Sequence, residues 1–368
     1  MFVKESDYVS FLLRLWQSDE AGRPIWRASL ESAQTGEKYH FPSVSVLAEY
    51  LEREFGRREG EKEEIGPRGA GEYAFLGAKR GARGVKESIF GRYVMTKGIS
   101  IHIGLNRVDP NHYQDQYGNP WDGALLACEF DARDMQALAQ SRGFQTRLLL
   151  NEQATADMVI GAITEAAQEL QPGDILFLSY SGHGGRVPDC NGEEDDDMDE
   201  TWCCYDRQLV DDELYGLWSL FRPGVRIFML SDSCHSGTVA KDVNLQQITA
   251  GHGQVRVLPA EIQAGTYLAH RSFYDGIQTG YPPGDLAEVN ASLILISACQ
   301  DNQTAADGAR NGLFTGTLLE VWQNGDFHGN LLHFQRSISE RMPWYQSPNY
   351  FRTGMPSREF EQQRPFTI

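Results

Sequence analysis

Apolar positions along the chain fall into two recurring patterns. Short apolar runs at 99–104, 146–150, 174–180, 225–230 and 291–297 have the length and the β-branched or aromatic content of strands buried on both faces. Between them lie segments with helical spacing. Residues 128–142 place Phe130, Met135, Leu138 and Ala139 on one side and stop at Gly143, a C-cap signal. Thr155 is an N-cap for a helix over 156–170 whose Val159, Ile160, Ile163 and Ala167 share a face. A strand, helix, strand, helix, strand succession predicts right-handed βαβ units on a parallel sheet, hence an α/β fold. A further helix is expected over 311–323, with Phe314, Leu318 and Val321 or Trp322 aligned. The stretch 244–289, rich in Gly and Gln, shows no clear period.

The first hundred residues are patterned differently. Residues 25–30 and 39–41 read as a hairpin, followed by an amphipathic helix over 43–55 with Ser43 as its N-cap. Three elements of this size are marginal alone and should pack on something larger. Residues 56–97 are dominated by Gly, Arg, Lys and Glu and read as a flexible basic linker. The expected organisation is a small N-terminal α+β unit (1–55), the linker (56–97) and one main domain (98–368).

Composition narrows the class. The chain has 368 residues, 41% hydrophobic and 11% aromatic, as in a globular protein. No apolar run approaches the length of a membrane-spanning helix, and the apolar stretch at 9–16 is cut by Arg14, so no secretory signal is expected. Six cysteines without CxxC pairing argue against a disulfide scaffold or a zinc site and for a cytoplasmic setting. A formal charge of −18 disfavours nucleic acid and anionic membranes and favours cations and basic polypeptides.

Candidate chemistry sits where two strands end. The run at 174–180 leads into Ser181-Gly-His-Gly-Gly185, and the run at 225–230 leads into Asp232-Ser-Cys-His-Ser-Gly237. Open α/β sheets bind ligands at the carboxyl ends of their strands. A lone cysteine is more often a small core hydrophobe, but Cys234, set among serines and followed by Gly237, is poorly suited to apolar packing. With His183 it forms a candidate nucleophile pair. The backbone amides of Gly184 and Cys234 are candidate oxyanion donors. His235 is a rival base, but its adjacent position points it away from the thiol. Asp232 lies two residues before the nucleophile, on the same side of an extended chain, where a carboxylate can pair with a basic substrate side chain.

The two motifs resemble those of the caspase-like cysteine peptidases, in particular the metacaspases and prokaryotic orthocaspases. The resemblance runs from about Lys97 to the C-terminus. It implies a caspase-like three-layer sandwich with a mostly parallel sheet of about six strands, the last edge supplied by Phe366-Thr-Ile368. It implies an endopeptidase that cleaves after Arg or Lys, with Asp232 and Asp131 forming the pocket for that side chain (S1). The Asp131 motif departs from the family, because Ala127 and Phe130 stand where Gly and Asn are usual. A metacaspase calcium site would draw on Asp199, Asp211, Asp212 and Asp242, although the acidic run at 193–200 also fits a solvated face or a lure for basic substrates. Two other classes compete: a catalytically silent protein-binding module and a small-molecule amidohydrolase. The basic linker makes self-cleavage after Arg80 or Arg83 an expectation, with Lys241 a further candidate. Protein or peptide substrates and a monomer complete the reading.

Overall fold

The computed structural model describes residues 11–20, 23–32, 38–44, 46–47, 50, 96–190, 197–234, 254–281, 288–300 and 303–368. Five strands form the parallel centre: β4 (Gly98–Gly104), β5 (Gln145–Leu150), β6 (Ile175–Ser181), β10 (Arg226–Asp232) and β11 (Ser292–Ser297). They are joined in the order β5-β4-β6-β10-β11, and β12 (Asn349–Gly354) closes this part antiparallel to β11. The six strands match the expected sheet. The last one differs from expectation: Phe366–Ile368 is not a strand. Phe366, at φ 56°, instead inserts its ring against Phe177, Phe228, Trp322 and Phe334, with centroids 4.9–5.7 Å apart. A three-residue tail with two bulky apolar side chains buries more surface as a plug than as an edge strand, whereas residues 349–354 supply six paired positions.

Alternation along the strands divides the core into two layers. Leu176, Leu178, Ile227 and Met229 face one way and pack with helices α2 (Ala156–Glu169) and α3 (Asp211–Ser219). Ile175, Phe177, Phe228 and Leu230 face the other way, toward α1 (Cys128–Ser141), α6 (Leu313–Trp322) and α7 (Leu331–Ser339). This is the three-layer arrangement that the resemblance implies. The caps behave as read: Thr155 accepts a hydrogen bond from the Met158 amide, and Gly143 takes φ +88° after α1.

The N-terminal segment joins the same sheet. Strands β1 (Phe11–Glu20), β2 (Arg23–Ser32) and β3 (Lys38–Phe41) form an antiparallel meander, and β3 lies parallel to β12 through the pair Tyr39 and Arg352. The Arg352 guanidinium sits 3.8 Å over the Tyr39 ring, a stacking contact across that junction, and is itself held by Glu361 at 2.8 Å. Ser43 accepts from the Val46 amide at 3.3 Å, as an N-cap would.

A second, small sheet is built from β7 (Gly184–Pro188), β8 (Met198–Cys203) and β9 (Gln208–Val210) at the carboxyl end of β6. Helices α4 (Ala260–Ala269) and α5 (Arg271–Gly280) occupy the stretch that carries no sequence period. Their inward faces use residues that periodicity does not count. In α4 these include Gly265, where a Cβ would stand 2.2 Å from the Asp115 backbone, and Thr266, whose hydroxyl receives the Gln114 amide at 3.1 Å.

Candidate active site

Strands β6 and β10 are parallel neighbours in a register that sets Asp232 beside Ser181. His183 and Cys234 each follow two residues beyond that last pair, one on the loop after β6 and the other on the loop after β10. Both residues are buried. The His183 carbonyl receives the Tyr180 hydroxyl at 2.7 Å and the Cys203 amide at 3.0 Å, which fixes the backbone of the histidine loop. Gly182 is required there, because a Cβ would meet the Tyr180 hydroxyl at 2.7 Å.

The histidine ring is oriented from a loop that sequence reading overlooked. Its Nε2 lies 3.0 Å from the Gly123 carbonyl, and its ring rests against Trp121, with centroids 4.9 Å apart. A carbonyl only accepts, so Nε2 carries the proton and Nδ1 holds the lone pair. Nδ1 has no hydrogen-bond partner among the described residues. Burial pushes the His183 pKa down to about 4, which keeps the ring neutral near pH 7. The Cys234 thiol faces the Gln303 carbonyl at 2.6 Å. Its neighbour Cys299 is held well above the ordinary thiol range by a hydrogen bond with Cys234 and by burial, so Cys299 stays protonated.

The expected oxyanion donors converge. The amides of Gly184 and Cys234 both donate, each at 3.1 Å, to one acceptor, the carbonyl oxygen of Arg256. The side chain of the same arginine is fully buried in an acidic pocket. Asp131, Asp232 and Asp307 approach its guanidinium at 2.6, 2.9 and 3.0 Å. Ser181 Oγ receives an Nη1 bond at 2.8 Å and donates in turn to Asp131 at 2.8 Å. The carboxylates are themselves held in place. Asp131 accepts from Asn311 and from the Gly312 amide, Asp232 from both the amide and hydroxyl of Thr315, and Asp307 from the amides of Leu126 and Ala127. Gly312 closes the pocket, where a Cβ would lie 2.6 Å from the guanidinium. Burial pushes the Asp232 carboxyl up to about 6, against the pull of Arg256.

Asp131 and Asp232 thus meet, although they are 101 positions apart in the chain, 232 − 131. Asp307, Ser181 and Thr315 were not legible as site residues. Asp307 follows β11 at the same carboxyl edge as Cys234, and that placement is the one signal that could have singled it out. His235, Asp242, Lys241, Arg80 and Arg83 lie outside the described residues.

Residues 109–360, well over half of the chain, match the family model of the caspase domain. The chain belongs to the caspase-domain family of cysteine peptidases. It is similar to metacaspase-1B of Aspergillus fumigatus, with 28% identity over 276 residues, 59% of this chain and 67% of that protein. It is also similar to metacaspase-1 of Kluyveromyces lactis, with 29% identity and 53% of each chain covered. A crystal structure of a Geobacter sulfurreducens protein aligns with a TM-score of 0.67 at 51% identity, over 74% of this chain and 99% of that one. The chain spans between about half and two thirds of the length of the curated metacaspases it matches.

The calcium site that the resemblance implies has a partial counterpart. Asp199 lies on β8, and Asp211 and Asp212 open α3 directly after β9, the strand paired with β8. Among the described residues, however, no group of three or more His, Cys, Asp or Glu side chains is placed to hold a metal ion. Asp242 and residues 191–196 of the acidic run lie outside the described residues, and no catalytic step is assigned to a metal. No helix among the described residues is long and apolar enough to cross a membrane.

Proposed function

We propose that this protein is an endopeptidase that cleaves after arginine, and by the same chemistry after lysine, with Cys234 as nucleophile and His183 as its acid-base partner. One observation carries the reading: a single arginine has its guanidinium among three carboxylates and its carbonyl oxygen on two amides, one beyond the histidine strand and one beyond the cysteine strand. A P1 residue needs this pairing, a charged pocket for recognition and N–H donors for the oxygen that becomes negative at the transition state.

His183 Nδ1, the unprotonated nitrogen of this tautomer, accepts the thiol proton of Cys234. The thiolate attacks the P1 carbonyl carbon, and the amides of Gly184 and Cys234 stabilise the oxyanion. Imidazolium then returns its proton to the departing amine, and water hydrolyses the thioester. The Gly123 carbonyl holds the ring in this orientation and partly compensates the transient charge.

An active-site-directed peptide chloromethyl ketone with arginine at P1 tests the reading. Alkylation at Cys234, located by peptide mapping and absent with an aspartate-P1 analogue, supports it. Equal labelling by both reagents would remove the acidic pocket from the proposal.

A further inference from the structure

The two oxyanion donors are tied together by a side chain outside the acidic pocket. Trp202 lies on β8, where it is the antiparallel partner of Gly184. Its indole lies face to face on the Tyr180 ring, with centroids 4.4 Å apart and planes 3° from parallel. The Tyr180 hydroxyl holds the His183 carbonyl, so this stack backs the histidine loop. The same indole reaches across to the cysteine strand. Its Nε1 donates to Ser231 Oγ at 3.2 Å, and Ser231 Oγ shares a hydrogen bond with Ser233 Oγ at 2.9 Å. Ser233 precedes the nucleophile, and its carbonyl takes the Cys299 thiol at 3.6 Å. The peptide unit between Ser233 and Cys234 is thereby held through its oxygen and through the side chain before it. Its N–H, one of the two oxyanion donors, points opposite to that oxygen.

A core aromatic is the plain alternative, and packing alone does not call for these polar groups. Ser231 continues the column of Ile227 and Met229 on a face of β10 that is otherwise apolar. A buried hydroxyl there costs stability unless it is paired, and a buried indole N–H needs an acceptor. Trp202, Ser231 and Ser233 are all buried. An apolar pair of the same shape would fill the space with little or no loss of stability. Such a pair could not fix Ser233.

We propose that Trp202 is a positioning residue for the oxyanion site: its backbone pairs with Gly184, and its N–H holds Cys234 through Ser231 and Ser233, so one residue sets the spacing of the two amides. This rests on the peptidase reading above and adds a residue that touches neither substrate nor sulfur. Such a role has a kinetic signature. The two N–H groups meet full charge only as the carbonyl oxygen becomes negative, so misplacing one lowers kcat and leaves KM nearly unchanged.

The test compares full-length wild type with Trp202→Phe, Ser231→Ala and the double variant on an arginine-P1 fluorogenic peptide, with active sites counted by the chloromethyl ketone. Trp202→Phe keeps a ring on Tyr180 and removes the N–H. It should lower kcat per active site roughly tenfold, the order of one lost hydrogen bond, with KM within about twofold. Inhibition by an arginine-P1 peptide aldehyde, whose tetrahedral adduct places an oxygen at the two amides, should weaken by the same roughly tenfold. Ser231→Ala should act likewise on both. Ser231→Ala also leaves the indole N–H buried without its acceptor and should melt lower than wild type. Adding Trp202→Phe removes that N–H and should raise the midpoint again, while kcat stays as low as in Ser231→Ala. A kcat that recovers together with the midpoint, or an aldehyde affinity equal to wild type, overturns the positioning role and leaves a structural hydrogen bond. Variants at the wild-type kcat remove the positioning role and leave the peptidase reading standing. A wild type with neither turnover nor alkylation at Cys234 overturns both.

Discussion

Replacing Asp307 by asparagine isolates the acid that the sequence did not announce. Its Oδ1 takes Nε and Nη2 of the arginine at 3.3 and 3.0 Å, while Oδ2 takes the Leu126 amide at 2.7 Å. Asparagine keeps one acceptor and presents an NH2 group either to a guanidinium or to a backbone N–H. A lost hydrogen bond to a charged group costs about 1.5 to 3 kcal/mol. At about 1.4 kcal/mol per tenfold, this predicts a roughly 10- to 150-fold fall in kcat/KM for an arginine-P1 peptide. The loss should stop there, because Asp131, Asp232 and Ser181 still hold the other guanidinium nitrogens. Asp307 also braces residues 126 and 127, so a raw rate could fall through misplacement alone. The decisive quantity is therefore the ratio of kcat/KM for arginine against its neutral isostere citrulline. Asp307→Asn should compress that ratio by the same factor. An unchanged ratio, whatever the absolute rates, would refute the assignment of Asp307 to the P1 pocket.

Cys234→Ala should abolish hydrolysis with a thermal midpoint within a few degrees of wild type, and residual turnover of the arginine peptide would move the nucleophile elsewhere. His183→Ala should lower kcat roughly 100- to 10,000-fold, the ordinary worth of a positioned acid-base group; a rate within threefold of wild type would point to another base. The two shifted groups also predict distinct acid limbs. With arginine in the pocket Asp232 ionises near 6, so kcat for arginine peptides should fall as pH drops through 6, where the carboxylate takes up a proton and loses its charge. Citrulline peptides do not need that charge, and their acid limb should lie near 4, where His183 protonates. Coincident limbs for the two substrates would show that Asp232 does not discriminate charge.

The sequence by itself determined the α/β class, the βαβ succession and the two strand ends that carry His183 and Cys234. Those features are written in local period and in short motifs, and burial on both faces of a central strand leaves an unmistakable apolar run. It also paired Asp232 with Asp131, by resemblance. The edges of the sheet were less legible. That β3 continues the sheet beside β12 depends on one pair of positions, Tyr39 with Arg352, 313 residues apart, 352 − 39. No local pattern encodes such a contact. The helices α4 and α5 were hidden because glycine, threonine, glutamine and tyrosine line their buried sides. Only the tertiary structure could decide what Arg256 does. In the sequence it is an arginine within an unpatterned stretch, as suited to solvent as any other. Its burial follows from three carboxylates brought together from the first turn of α1, the last residue of β10 and the loop after β11, and from main-chain partners on the β6 and β11 sides. A charge is buried only where the groups that pair with it converge, and convergence is a property of the folded sheet edge rather than of any stretch of chain.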